Sequence, residues 1–92
     1  MQPAGSVLPE VIEELLRVAP RDEVALLAWP IVCGPKVAAR TRPTEFRDGI
    51  LRVQVPGRAW CQQLSDLEQS YCREFARLLG RDIVRQIVFV EG

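Results

Sequence analysis

Six cations lie close together in the middle of this chain: Lys36, Arg40, Arg42, Arg47, Arg52 and Arg58. Only Glu45 and Asp48 stand against them between residues 31 and 60. Eleven of the twelve bases in the chain are arginine, whose planar fork suits bidentate contacts to phosphate or carboxylate better than a lysine does. The chemistry on offer is therefore the binding of an anion. Catalysis has little to work with. There is no histidine, the commonest general base and metal ligand. No Cys-x-x-Cys pair suggests zinc, and Gly34, Gly49 and Gly57 stand alone, without the spacing of a phosphate loop. Glu13-Glu14 and Asp22-Glu23 fall at helix surfaces or starts, where solvent or the helix dipole accounts for them. Ser65 and Ser70 have no base to activate them. No enzyme activity, metal or cofactor is expected.

The whole chain frames that cluster. Its 92 residues make one domain, expected as a short lead over 1–6 and a single domain over 7–92. Formal net charge is zero, so no global field favours a polyanion or a membrane, and the basic middle is a local feature. Cys61 and Cys72 are eleven apart on what reads as one helix, roughly 16 Å from each other and beyond disulfide reach. With Cys33 they read as reduced thiols, two or more of them small core residues. No leader segment and no membrane-spanning run is expected, which points to the cytoplasm.

The elements that must position the cations follow from periodicity. Leu8, Val11, Ile12, Leu15 and Leu16 share a helical face after a Ser6 cap and Pro9, and Pro20 ends that helix. A second helix is expected from an Asp22 cap, with Val24, Leu27, Ala28 and Ile31 inward. Pro30 should bend or interrupt it, and Pro35 should restart a short piece to about Ala39. Trp29, Ile31 and Val32 then anchor the core, and Gly34 lets backbone approach backbone. Thr41–Phe46 and Ile50–Pro56 flank Asp48-Gly49, a hairpin-turn pair, with Leu51, Val53 and Val55 on the apolar face. Trp60, Leu64, Leu67, Tyr71, Phe75 and Leu78 predict one long helix ending at Gly80. Residues 83–90 read as a buried third strand. The expected fold is α+β, a three-stranded mixed sheet with helices on one face, in the order α-α(kinked)-β-β-α-β. Trp60 heads an apolar stripe and is read as core. Arg73 and Arg77 are read as the wet face of the long helix.

Taken in order, Trp29, Ile31-Val32-Cys33-Gly34, Val37-Ala38, Thr41 and Pro43, then Asp48-Gly49-x-Leu51-x-Val53-x-Val55, Trp60 with Gln63-Leu64, Leu78-Leu79-Gly80 and Ile87-x-Phe89 resemble the DciA family. The resemblance covers residues 22–90. It implies a small type II KH-like domain and a part in starting bacterial DNA replication, as a DNA-binding loader or operator of the replicative helicase. KH domains that grip single strands use a Gly-x-x-Gly loop between two helices. None is present, and one long helix is expected in its place. Lys36, Arg40, Arg42, Arg47, Arg52 and Arg58 are the better candidate surface. Many relatives carry a further flexible basic extension. This sequence stops at Gly92, just past the last expected strand, so a minimal version with weaker or different partners is expected.

The partners expected are thus DNA, bound weakly and without sequence preference, and the replicative helicase, with no membrane and a monomer or weak homo-oligomer. Two alternatives stay open. One is a protein-interaction module, homodimeric through an uncovered sheet edge, without nucleic-acid binding. The other is a KH-like RNA-binding protein.

Overall fold

A proline, not an acid, sets the start of the first described helix. In the computed structural model, which describes residues 20–92, Pro20 is the cap of α1 (Arg21–Cys33), and its carbonyl accepts from the N–H groups of Glu23 (2.9 Å) and Val24 (3.0 Å). Asp22 is not the cap. It sits with Glu23 in the first turn, where the helix dipole favours a carboxylate. The expected lead and first helix, with the stripe Leu8 to Leu16, lie outside the described residues.

The inward face of α1 is also turned from the expected one. Val24, Ala25, Ala28 and Trp29 are buried, while Leu27 is 53% and Ile31 37% exposed. The helix runs through Pro30 without interruption. Pro30 faces solvent, where the hydrogen bond it cannot donate costs least. The break comes at Gly34, whose φ of +89° is open to glycine and strained for other residues. Nothing lies within 4 Å of where its Cβ would be, so the glycine serves the turn and not a close backbone approach. Pro35 then opens the one-turn α2 (Pro35–Ala38), as expected.

The sheet is built from β1 (Arg42–Arg47), β2 (Ile50–Val55) and β3 (Gln86–Glu91), in the order β1-β2-β3. β1 and β2 are antiparallel, joined by Asp48 and Gly49 at φ +54° and +80°. Positive φ at both positions is the primed turn whose twist suits a two-residue hairpin. β3 runs parallel to β2, which requires a crossover. The crossover is α3 (Arg58–Asp66) and α4 (Glu68–Leu79), two helices where the stripe predicts one. Leu67 separates them at φ −100°, ψ 3°, and is 44% exposed instead of inward. A single helix over this span would be about 33 Å long, against roughly 20 Å for a six-residue strand, so the break keeps both pieces on the core. α4 closes at Gly80, whose N–H returns to the Ala76 carbonyl.

All the described helices pack on one face of the sheet. Leu51, Val53 and Val55 of β2 and Ile87 and Phe89 of β3 meet Trp29, Leu64, Tyr71 and Phe75 there. The result is the expected α+β fold, a mixed three-stranded sheet with the described helices on one face. The element order is compatible with a type II KH-like domain.

Candidate functional site

The side of the sheet that the described helices leave open collects half of the candidate cations, and an irregularity in β1 is the cause. Arg42 and Arg47 are five residues apart, so strict strand alternation would send them to opposite faces. The pairing instead slips between Pro43 and Glu45, where Thr44 is the extra residue of a bulge. Its hydroxyl donates to the Arg52 carbonyl at 3.4 Å. Arg42 then pairs with Gln54, Glu45 with Arg52 and Arg47 with Ile50, while Pro43 and Phe46 fall opposite the inward Val53 and Leu51. Paired residues share a face. Arg42, Arg47 and Arg52 therefore stand together on the outer face, with Glu45 among them. β3 adds Gln86, Val88 and Val90, opposite Ile50, Arg52 and Gln54. Ile50 is 40% exposed, so this face is a shallow aliphatic floor with a guanidinium at each end and one in the middle.

The other three candidates lie off that face. Lys36 is on α2, and Arg40 is in the turn after it, its N–H bonded to the Val37 carbonyl at 3.1 Å. β1 begins only at Arg42, so Arg40 and Arg42 do not share a strand face. Arg58 opens α3 just past the end of β2. All three are exposed and lie toward the end of the sheet that holds Arg42 and Gln54. Arg47 lies at the opposite, hairpin end. Among the described residues, only Arg47 of the six lies within ion-pair range of a carboxylate, Glu45 at 3.9 Å, and both side chains are largely exposed. An exposed pair of that length stabilises little and leaves the guanidinium available.

One cation near this surface was not singled out by sequence reasoning. Arg85 reaches over the hairpin turn, its Nε 2.9 Å from where a Cβ on Gly49 would stand. Its backbone N–H and that of Gln86 donate to the Gly49 carbonyl, at 2.8 and 3.1 Å. Only the parallel pairing of Ile50 with Gln86 brings it to the hairpin, and nothing in the local pattern announces strand order. Arg85 also borders a groove of ≈ 890 Å³ between the start of α1, the hairpin and the α4–β3 connection. Asp22, Glu23 and Asp82 line the same groove, which makes it mixed in charge and a poor cradle for a polyanion.

The remaining chemistry is quiet. Arg73 and Arg77 are exposed on α4, with Arg77 bridged to Glu74 at 2.9 Å and Arg73 donating to the Ser70 hydroxyl at 3.3 Å. Cys33, Cys61 and Cys72 are free thiols, each partly buried against the core. Burial pushes the Cys33 thiol up to about 11, against the lowering effect of its own backbone hydrogen bond. Such a thiol is a poor nucleophile at neutral pH. Among the described residues no group of His, Cys, Asp and Glu side chains is placed to hold a metal ion, and no helix is long and apolar enough to cross a membrane.

Comparison with known proteins adds the family. The model of the DciA family, described as "Dna[CI] antecedent, DciA", matches residues 3–89. A UPF0232 protein of Rhodococcus jostii (strain RHA1) is 34% identical over 59 residues, covering 64% of this chain and 31% of that protein. A UPF0232 protein of Mycolicibacterium paratuberculosis (strain ATCC BAA-968 / K-10) is 30% identical over 59 residues, covering 64% of this chain and 33% of that protein. The matched part of the chain thus spans about a third of the length of these curated relatives.

Proposed function

The chain belongs to the DciA family, and we propose that it is a non-enzymatic, cytoplasmic DNA-binding accessory protein that assists loading or operation of the bacterial replicative helicase. DNA lies against the outer sheet face. The observation that carries this reading is the bulged register that gathers Arg42, Arg47 and Arg52 on the side of the sheet left bare by the described helices. Lys36, Arg40 and Arg58 extend the positive surface at one end and Arg85 at the other. Guanidinium groups on a sheet face contact phosphates, and such contacts carry no sequence information. Binding is therefore weak, indifferent to sequence and sensitive to salt.

The test is a titration of labelled DNA at about 50 mM and 200 mM salt with the full chain and two variants. The triple variant Arg42→Glu, Arg47→Glu and Arg52→Glu loses at least about tenfold in affinity, because three phosphate contacts become repulsions. Glu45→Gln removes the carboxylate among them and tightens binding by about two- to fivefold. Circular dichroism of both variants should match the parent, since all four side chains are exposed. Unchanged affinity in the triple variant rejects this face. For the helicase part, co-sedimentation with a purified bacterial replicative helicase is expected, and its absence removes that partner.

The edge-paired dimer has less support. The Ile87 N–H on the β3 edge donates to Glu68 Oε2 at 2.9 Å, and the Phe89 carbonyl accepts from Cys61 Sγ at 3.5 Å. A strand arriving at β3 finds these groups in use. Pro43 and the bulge interrupt β1, the other edge.

A further inference from the structure

Proteins that prefer single strands stack the bases on aromatic side chains, because a flexible strand offers little else to a surface that does not read its sequence. The chain has six aromatic residues, and all fall within residues 20–92. Trp29, Phe46, Tyr71, Phe75 and Phe89 are buried in the core. Trp60 is half-buried, packed against the core from α3 on the helical side of the sheet. None is left for the outer face, whose apolar part is Ile50, Val88 and Val90. The junction between α3 and α4 offers no substitute. It reads Ser65-Asp66-Leu67-Glu68, so its two carboxylates stand where a glycine-rich clamp would have bare backbone.

The outer face has the opposite equipment. Arg42 and Arg47 pair with Gln54 and Ile50, four residues apart on β2, so their backbone positions lie roughly 13 Å from each other, with Arg52 between them on the neighbouring strand. The sheet fixes the spacing of their backbone positions. A duplex presents one phosphate charge per about 1.7 Å of axis, against about 3.4 Å along one strand, and frames a major groove about 12 Å wide with phosphates on both sides. A row of cations anchored at such positions meets more charge on that surface. A single strand must give up chain freedom to lie along it and regains nothing from stacking.

We infer that this face takes double-stranded DNA through its phosphate backbone, and that a single strand binds it no better than its charge alone allows. The inference rests on the outer face being the DNA surface, and it names the form of DNA that face selects.

Anisotropy titrations of the full chain with three labelled probes of equal length decide it: a duplex, one of its strands, and that strand with a tract of abasic sites. The duplex should bind at least about threefold tighter than the single strand, and the abasic strand within about twofold of the intact one. Trp60→Leu, checked for folding by circular dichroism, should leave all three affinities in place. Tighter binding of the single strand than of the duplex overturns the inference. So does a loss of about tenfold on removing the bases, which would reveal stacking. If no probe binds, the DNA reading itself falls and this inference with it. If the duplex preference appears but survives the Arg42, Arg47 and Arg52 triple variant, another surface selects the duplex, and the assignment to this face is wrong.

Discussion

Trp29 shows how much one residue can organise here. Its ring is fully buried, edge-on to Tyr71 at 5.2 Å and stacked with Phe75 at 6.3 Å between centroids. Its polar end is not wasted. Nε1 donates to the Thr41 hydroxyl at 2.9 Å, and that hydroxyl donates to the Val37 carbonyl at 2.8 Å. The relay ties α1 to α2 and to the residue that precedes β1, so it sets where Arg42 enters the sheet. Thr41→Val keeps the volume but leaves the indole N–H buried without a partner, at a cost of about 1–3 kcal/mol. Urea unfolding should show a lower midpoint with an unchanged slope, and Thr41→Ser should restore most of the loss. A parental midpoint in Thr41→Val would mean the relay contributes nothing.

The helices and strands are positioned by a few contacts of the same kind. Glu68 lies in the first turn of α4, a favourable place for a carboxylate, and accepts from the Ile87 N–H on the β3 edge. One side chain thus anchors the crossover helix to the strand it delivers. Glu68→Ala should destabilise the fold by about 1.5–3 kcal/mol, the usual worth of a hydrogen bond to a charged group. It should also promote association at high concentration, because the edge regains a free donor. Unfolding curves and sedimentation velocity read the two effects. A variant as stable and as monomeric as the parent would show that Glu68 guards nothing.

For the molecule as a whole, three partly or fully buried acids respond to pH with the same sign. Cys33 is raised to about 11 by burial. Tyr71 is raised by burial and then by the Cys33 charge, and Cys72 by burial and then by Glu68 and Asp82. In each case the folded state holds its proton more tightly than the unfolded chain does. The stability this contributes is complete below the unfolded values and is lost as pH rises through the folded ones. For Cys33 the window runs from about 9 to about 11. Denaturant midpoints should therefore fall between pH 8.5 and pH 10.5, and Cys33→Ala should flatten part of that slope; equal midpoints at the two ends would contradict the burial of these groups.

What the sequence determined by itself was the local part: the hairpin at Asp48-Gly49, the inward face of β2, the restart at Pro35, the stop at Gly80 and the basic composition of the middle. Each follows from a backbone preference or a period confined to a few neighbouring residues. Tertiary structure decided the rest. The inward face of α1 kept the expected Val24, Ala28 and Trp29 but took Ala25 in place of Leu27 and Ile31, because small residues let the helix sit close to the sheet. The long helix broke at Leu67 because a straight one would overrun the core. Arg42, Arg47 and Arg52 reached a common face only because the pairing of β1 with β2 admits an extra residue at Thr44. A bulge is a property of two strands together, so the parity of one strand read alone cannot reveal it.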